Sequence, residues 1–368
     1  MSIDNIYGRL KNMINELSPY LREAYKIKGI SQIYDIILHK ILINTSPIDY
    51  YRYGFYKKKL TWDEKSYYVG KRGSRYFPWE VNPIKYVPLL DDKFLFKTLL
   101  KGFELPQPKL ISVIGQNYEI NTKDKFYSLM HNVKSDMVFK PLDGSGGRGV
   151  KIIENRNGEY YDNNKILKIE DIWEYVSNDN YLLEERVKQI DSLSCIHPSS
   201  LNTIRITTLR ERDNKYNILI RFLRVGCGGK NVDNGGQGGI IIFLDDSGSS
   251  YYAYNYKKNL FGMTHHPDTG VSLLNIKIDQ FDDIIDLVLR ASQKFSFIGT
   301  IGWDIALSND GPLIIEANPF YDAWPVQIGE CGSMINSETA KILRKHNIFT
   351  RYDKTMIHPD FNRDRIIA

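Results

Sequence analysis

The sequence predicts an α+β protein, in which antiparallel strand hairpins pack with amphipathic helices. Three stretches carry this prediction. Residues 3–44 repeat apolar side chains at helical spacing, residues 136–153 hold two strand-like runs around a glycine-rich loop, and residues 299–318 hold two apolar runs joined by a turn. With 368 residues, 42% of them hydrophobic, the chain is long enough for about two or three domains or subdomains.

Composition and charge indicate an ordinary soluble protein. The net charge of +5 suits an anionic ligand, and no run of like charges resembles a nucleic-acid-binding tail. The three cysteines show no metal-ligand spacing, so thiols in a reducing compartment are expected. No apolar run reaches membrane-spanning length, and charges interrupt the N-terminus where a signal peptide would be apolar. We therefore expect a cytoplasmic protein with no nucleic-acid partner and no membrane span.

Residues 3–44 predict two amphipathic helices, with lysines and arginines between the apolar positions. One interpretation is a basic face for an acidic partner or a membrane surface. The favoured interpretation is a solvated face on a packed helical cap, because charges flank the apolar stripe of any surface helix. The apolar positions are Ile6, Leu10, Ile14, Leu17, Ile30, Ile33, Ile36, Ile37 and Ile41.

The next segment is rich in aromatic residues and helix signals. Residues 46–56 form an aromatic cluster that we interpret as core, although such rings also stack on sugars or bases. Thr61 followed by Glu64 predicts a helix N-terminus. A further helix is expected to open with carboxylates at residues 91–92 and to end at Gly102.

The glycine-rich loop of residues 143–149 (Asp-Gly-Ser-Gly-Gly-Arg-Gly) lies between two predicted strands. Glycine backbone amides can approach an anion closely, and Lys140 and Arg148 supply positive charge. A strand follows the loop and no Gly-Lys-Ser/Thr closes it, so a dinucleotide fingerprint and a Walker loop are excluded. A polyphosphate cradle and a structural glycine hairpin both fit the loop.

Three further strands carry charged residues toward a possible ligand. Alternation along residues 181–187 places Glu184 and Glu185 on opposite faces, so one of them can be buried. Arg205 projects from one face of the next strand, and Arg221 and Arg224 lie on opposite faces of residues 217–225. These arginines suit a clamp for phosphate or carboxylate, but half-exposed charges are also common on sheets.

Two further features carry weaker signals. Residues 231–239 form a second glycine-rich loop, which either wraps a substrate or is a long turn. His197, His265 and His266 lack the spacing of metal ligands, so the adjacent pair is expected at the surface or against a substrate.

Residues 299–318 predict a hairpin with three oxygen donors on one face. Glu316 and Asn318 are two residues apart on the second strand, and the hairpin folds Asp304 back beside them. Such hard donors suit Mg²⁺, which takes few protein ligands and completes its octahedron with water and phosphate oxygens. A solvated acidic face is the alternative, but both strands are otherwise apolar.

In their order and spacing, these motifs resemble the ATP-grasp superfamily, and more closely its branch associated with sugar transfer and surface-polysaccharide gene clusters. The resemblance covers residues 46–345. The motifs that carry it are Ser46-Pro-Ile-Asp-Tyr-Tyr, Asp92-Lys93, Phe139-Lys140-Pro with the glycine loop, Leu183-Glu-Glu-Arg-Val187, Leu201-Asn-Thr-Ile-Arg205, Asn234-Gly-Gly-Gln-Gly-Gly239, Gly302-Trp-Asp304 and Glu316-Ala-Asn318.

The resemblance implies an ATP-grasp fold, in which two α+β subdomains sandwich ATP. An N-terminal helical region and a small α/β domain precede them. The predicted boundaries are 1–45 for the helical region, 46–134 for the α/β lead-in domain, 135–190 for the subdomain with the glycine loop, 191–348 for the subdomain with the metal site and 349–368 for a C-terminal tail.

The resemblance also implies which residues bind ATP. Lys93 and Lys140 hold the α and β phosphates, while Glu184 and the backbone of Val187 line the adenine pocket and Asp191 is a candidate for the ribose hydroxyls. The loop that closes over the β and γ phosphates consists of Gly144, Ser145, Gly146, Gly147, Arg148 and Gly149.

The implied metal site and catalytic groups lie beyond the phosphates. Asp304, Glu316 and Asn318 bind one or two Mg²⁺, with Mn²⁺ as a possible substitute. Many ATP-grasp ligases have an arginine two residues before the metal aspartate, where this chain has Gly302. Arg205 or Arg224 is the candidate replacement, and Lys140 is the third catalytic candidate.

The implied activity is an ADP-releasing carboxylate–amine ligase that forms an amide through an acyl phosphate. Its substrates are a carboxylate and an amine, one of them sugar-linked, in capsule, exopolysaccharide or O-antigen biosynthesis. The alternatives are an ATP-grasp phosphotransferase acting on a sugar or alcohol, and a non-catalytic nucleotide-binding component of a glycan-assembly complex. A homo-oligomer is compatible with each.

Overall fold

Two antiparallel β-sheets with helices packed on them make up the structure, which is a computed structural model. The predicted α+β class is confirmed. The structure describes residues 18, 20–68, 78, 81–144, 146–211, 215–255, 257–258, 260–322, 325–328 and 332–345. The predictions for residues 3–17 and for the tail at 349–368 lie outside these ranges.

The first sheet contains β1 (Leu110–Ile114), β2 (Met137–Pro141), β3 (Lys151–Arg156), β4 (Glu159–Asp162), β5 (Lys165–Leu167) and β6 (Tyr181–Glu185). Its spatial order is β1-β6-β2-β3-β4-β5. The second sheet contains β7 (Thr203–Arg210), β8 (Tyr216–Val225), β9 (Ile240–Leu244), β10 (Ser250–Asn255), β11 (Leu260–Phe261), β12 (Thr300–Ser308) and β13 (Gly311–Asn318). Its spatial order is β11-β10-β9-β8-β7-β12-β13.

The helices with defined bounds are α1 (Ser31–Ile43), α2 (Pro47–Arg52), α3 (Trp62–Ser66), α4 (Pro88–Asp91), α5 (Lys93–Gly102), α6 (Lys123–Asn132), α7 (Ile169–Val176), α8 (Asp191–Ser194), α9 (Phe281–Lys294) and α10 (Ser337–Lys345). Two predicted starts are confirmed by their caps. Thr61 and Glu64 form a reciprocal capping box before α3, and the Asp92 side chain accepts a hydrogen bond from the Leu95 amide before α5. No described helix has the length and apolarity needed to cross a membrane.

Each sheet has its own hydrophobic core. Helix α9 buries one face, with apolar residues three or four positions apart, against β7, β12 and β13. Helices α6 and α7 cover the first sheet, where Phe126 and Phe139 are fully buried. Strand β1 lies before the predicted boundary at residue 134, yet it pairs with β6. The domain boundaries remain predictions.

Asn82 joins the segment before α4 to the hairpin of β12 and β13. Its amide nitrogen donates to the carbonyls of Thr300 and Pro319, and its amide oxygen accepts from the backbone amides of Gly299 and Thr300. The side chain is buried and uses all four of its hydrogen-bonding positions.

Replacing Asn82 with alanine is expected to lower the free energy of unfolding by about 3 kcal/mol or more, because buried backbone groups lose their partners. Urea unfolding measures the loss. Asn132→Ala is the control, since Asn132 is exposed and donates to one carbonyl within α6. Equal effects of the two substitutions would contradict a special role for Asn82.

The N-terminal region confirms one interpretation and corrects another. The aromatic cluster of residues 46–56 is core, with Tyr50 and Tyr53 fully buried. Ile36 packs against this core, but the expectation that the helical stripe packs is wrong for Ile30, Ile33, Ile37 and Ile41. Exposed fractions there lie between 51% and 77%, in a set that we call the apolar stripe: Ile30, Ile33, Tyr34, Ile37 and Ile41.

Candidate functional site

A cavity of about 440 Å³ lies between the two sheets, with walls from both. Most of the predicted site residues line it. These are Lys93, Lys140, Gly144, Gly146, Gly147, Arg148, Glu184, Val187, Arg205, Arg224, Asp304, Glu316 and Asn318. Ser145 lies outside the described residues. Two predicted residues, Gly149 and Asp191, are not among the residues that line the cavity.

The Glu184 carboxylate lies at the centre of a buried charge cluster. One of its oxygens is 2.6 Å from the Lys140 ammonium, and the other is 2.5 Å from the ammonium of Lys97. The predicted alternation on β6 is confirmed, because Glu185 faces the other side and pairs with exposed Lys109. Lys140 on β2 and Lys97 on α5 thus share one carboxylate at the edge of the cavity.

The charges of this cluster depend on one another. Burial opposes ionisation of Glu184, but Lys140 and Lys97 outweigh it and hold the pKa of the carboxyl below its usual value. Burial likewise opposes the charge of Lys140, but Glu184 prevails and raises its pKa. For Lys97 burial prevails, and its pKa is lowered.

Sequence reasoning missed Lys97. Its ammonium has no hydrogen-bond partner in the described part of the chain beyond the ion pair with Glu184. The available signal was its position one helical turn after Lys93, on a face where Phe96 and Leu100 are buried. A lysine on such a face requires a buried counter-charge.

Lys93 and the glycine loop form the next part of the wall. The Lys93 ammonium donates to the carbonyls of Leu142 and Gly144, at distances of 3.0 and 2.8 Å, where β2 enters the loop. The loop also contacts the second glycine-rich loop. Gln237 donates to the Gly146 carbonyl, and a Cβ atom on Gly147 would lie 2.8 Å from a methyl carbon of Val232. Residue 147 must therefore be glycine for the two loops to meet.

Asp304 is paired with two arginines from neighbouring strands. Both nitrogens of one edge of the Arg205 guanidinium donate to its carboxylate, and Arg224 contributes a third contact at 2.9 Å. The strand order β8-β7-β12 brings these residues together, with Arg205 directly opposite Asp304. Burial opposes ionisation of Asp304, but Arg205 and then Arg224 outweigh it and lower the pKa of the carboxyl.

Further contacts fix this ion pair. Arg224 also lies 3.4 Å from Asp233, a second buried carboxylate, so two arginines face two acids. Burial opposes the charge of Arg224, but Asp233 and Asp304 outweigh it and raise the pKa of the guanidinium. A Cβ atom on Gly302 would lie 3.3 Å from the Arg205 guanidinium, so the glycine leaves room for that arginine.

The oxygen donors on the hairpin fit a metal ion only in part. Glu316 and Asn318 line the cavity from β13. The Asn318 amide nitrogen donates to the Gly302 carbonyl and to Asp304, which leaves its amide oxygen for a ligand. Asp304 is held by arginines, and the described residues contain no group of three or more His, Cys, Asp or Glu that could hold a metal. The two remaining donors, Glu316 and the Asn318 amide oxygen, fit an ion such as Mg²⁺, which takes few protein ligands.

The three histidines and Asp191 are not among the residues that line the cavity. His266 is buried and its ring contacts the Gly226 carbonyl at 2.9 Å, so its expected surface position is wrong, whereas His265 is exposed. His197 is buried beside it, and burial lowers its pKa. Asp191 is exposed at the start of α8, while its neighbours Gln189 and Ser194 line the cavity.

Comparison with known proteins agrees with the motifs. The sequence model of the sugar-transfer associated ATP-grasp family matches residues 72–342. No curated protein matches the sequence.

Several solved structures are similar to the chain at low identity. N5-carboxyaminoimidazole synthetase from Staphylococcus aureus, solved with ADP, has 12% identity and a TM-score of 0.39, over 64% of this chain and 46% of its own. D-alanyl-alanine synthetase A from Vibrio cholerae has 11% identity and a TM-score of 0.41, over 73% of this chain and 63% of its own. The ATP-grasp ligase PsnB has 14% identity and a TM-score of 0.36, over 66% and 53%. The chain thus covers less than two thirds of each of these proteins.

Proposed function

Because the chain belongs to the sugar-transfer associated ATP-grasp family, we propose that it is an ATP- and Mg²⁺-dependent carboxylate–amine ligase. It attaches an amino acid or similar acid to a sugar or sugar precursor in the synthesis of a surface polysaccharide. One observation carries the proposal: a single cavity holds two lysines, a glycine loop, two arginines and the oxygen donors of the hairpin.

The proposed reaction has two steps. A carboxylate oxygen of the first substrate attacks the γ-phosphorus of ATP, the bond to the β-phosphate oxygen breaks, and ADP leaves. The nitrogen of the amine substrate then attacks the carbonyl carbon of the acyl phosphate. The carbon–oxygen bond to phosphate breaks, the nitrogen loses a proton, and an amide and inorganic phosphate are released.

Positive charge in the cavity supports binding of a polyphosphate. Lys140 keeps its proton because Glu184 raises its pKa, and the Lys93 ammonium contacts the Gly144 carbonyl at the start of the glycine loop. These two ammonium groups neutralise phosphate oxygens, and the loop amides donate to them. Glu316 and the Asn318 amide oxygen would hold Mg²⁺, which when bound neutralises charge on the phosphate oxygens.

The two arginines suit the second step. Arg205 and Arg224 are oriented by Asp304 before any substrate arrives, and both line the cavity. Fixed guanidinium groups stabilise an oxyanion without a reorganisation cost at the moment of reaction. The space beside Gly302 is taken by the Arg205 guanidinium, which favours Arg205 as the replacement for the arginine found two residues before the metal aspartate in many ATP-grasp ligases.

The test is a substrate screen with purified protein. ATP, Mg²⁺ and pooled carboxylates and amines are supplied, and ADP release and product mass are recorded. A ligase gives a product whose mass is the sum of two substrates minus one water. A product that gains only a phosphate identifies a phosphotransferase, and ATP binding without ADP release for any pair identifies a non-catalytic nucleotide-binding protein. Either outcome overturns the proposal.

Replacing Gly147 with alanine is expected to raise the KM for ATP about tenfold, because the residue has φ of +74° and a Cβ atom would strike Val232. Initial rates at varied ATP measure the effect. Gly158→Ala is the matched control, since Gly158 has φ of +95° in the turn between β3 and β4 with no atom within 4 Å of the added carbon. If both variants raised the KM equally, the contact between Gly147 and Val232 would contribute nothing to ATP binding.

A further inference from the structure

The apolar stripe at the N-terminal helices is unusual for a surface helix. Ile30, Ile33, Ile37 and Ile41 are three or four residues apart and Tyr34 follows Ile33, so the five side chains share one face about 16 Å long. Each is more than half exposed, and Ile27 and Tyr25 extend the exposed apolar surface into the preceding helical residues. Contiguous exposed apolar surface of this kind indicates an interaction site.

The acidic side chains of this region are directed away from the stripe. Residues 18–45 contain only two acids, Glu23 and Asp35. Glu23 accepts a hydrogen bond from the Tyr56 hydroxyl and pairs with Lys57 at 3.2 Å. Asp35 pairs with Lys28 at 3.1 Å and is partly buried. Both negative charges are therefore compensated by the protein itself.

The cations of the region are distributed differently. Arg22, Lys26 and Lys40 are exposed, and no ion pair involves them in the part of the chain that the structure describes. On a helical projection of α1, Lys40 falls beside the stripe, whereas Arg22 and Lys26 lie in the helical residues before the turn at Gly29. The surface thus combines an uncharged apolar face with positive charge along its edge.

We propose that this surface binds an anionic lipid bilayer. The isoleucines enter the boundary between headgroups and acyl chains, and the cations contact lipid phosphates, as in amphipathic helices that lie in a membrane interface. A second copy of the chain fits less well, because a symmetric contact through the stripe places the same cations of two molecules together. The proposal concerns surface attachment and is independent of the proposed ligase activity.

The test uses the full chain and co-sedimentation with vesicles. Vesicles of phosphatidylcholine alone are compared with vesicles that also contain phosphatidylglycerol. We expect binding to the anionic vesicles, weakened by salt. The triple variant Ile33→Ser, Ile37→Ser, Ile41→Ser is expected to bind about 100-fold more weakly. The double variant Lys26→Glu, Lys40→Glu is expected to lose about 30-fold or more.

A matched substitution controls for exposed isoleucine in general. Ile166 on β5 is 64% exposed, as is Ile41, so Ile166→Ser is expected to leave vesicle binding unchanged. Circular dichroism shows whether each variant is folded. The proposal is overturned if the intact chain does not bind anionic vesicles, if the triple variant binds as well as the intact chain, or if both vesicle types bind equally. Self-association that the triple variant abolishes, without vesicle binding, would identify a second copy as the occupant and also overturn it.

Discussion

Lys140→Met is expected to reduce turnover about 1,000-fold and to weaken ATP binding, because it removes a cation of the cavity whose charge Glu184 maintains. The variant is expected to fold, since methionine preserves most of the side-chain volume and Glu184 keeps Lys97 as a counter-charge. Single-turnover rates and equilibrium binding of ATP separate loss of chemistry from loss of affinity.

Lys109→Met is the matched control for this substitution. Lys109 pairs at 2.7 Å with Glu185, the neighbouring carboxylate on β6, but its side chain is 73% exposed and lies outside the cavity. We expect wild-type turnover, because an exposed ion pair contributes little. Unchanged turnover in a folded Lys140→Met protein would exclude Lys140 from the phosphate site.

Asp304→Asn is expected to lower both stability and activity. The substitution leaves Arg205 and Arg224 with no full negative charge beside them except Asp233, and an uncompensated buried charge typically costs about 3–5 kcal/mol. Turnover is expected to fall about 100-fold, since the guanidinium groups lose their orientation. Urea unfolding and initial rates measure the two losses separately.

The control for Asp304→Asn is on the opposite face of the same sheet. Asp246 pairs at 2.7 Å with Arg221 on β8, but its side chain is 90% exposed, so Asp246→Asn is expected to change neither stability nor rate. Activity that survives in Asp304→Asn would show that the arginines need no fixed orientation.

The stability difference has a pH dependence that follows from the lowered pKa of Asp304. Its contribution is fully present above the pKa of the unfolded carboxyl, about 4, and is lost as the pH falls through the lower pKa of the folded state. The difference in unfolding free energy between wild type and Asp304→Asn is therefore expected to be constant near neutral pH and to shrink below about pH 4. A constant difference down to lower pH would contradict this linkage.

The sequence predicted those parts of the site that depend on local geometry. Alternation along β6 separates Glu184 from Glu185, and the short hairpin brings Glu316 and Asn318 to one face. Both follow from the alternation of side chains along a strand, which has a period of two residues.

The missed features depend on contacts between distant residues. Lys97 meets Glu184 only because α5 packs at the cavity edge of the first sheet, and the pairing of Asp304 with two arginines requires the strand order β8-β7-β12. The apolar stripe had the expected helical period, but periodicity alone does not show whether a face is covered. No local sequence pattern indicated the role of Asn82, since its partners are more than 200 residues away in the sequence.

The contact between the two glycine-rich loops has a kinetic consequence. Gln237 and Val232 of one loop touch Gly146 and Gly147 of the other, so the two segments form a common wall over the cavity. If ATP binds in this cavity as we propose, a nucleotide beneath the first loop leaves past this wall only when the second loop also shifts. We then expect a substrate or product bound at the second loop to slow nucleotide release, which would set the order in which products leave.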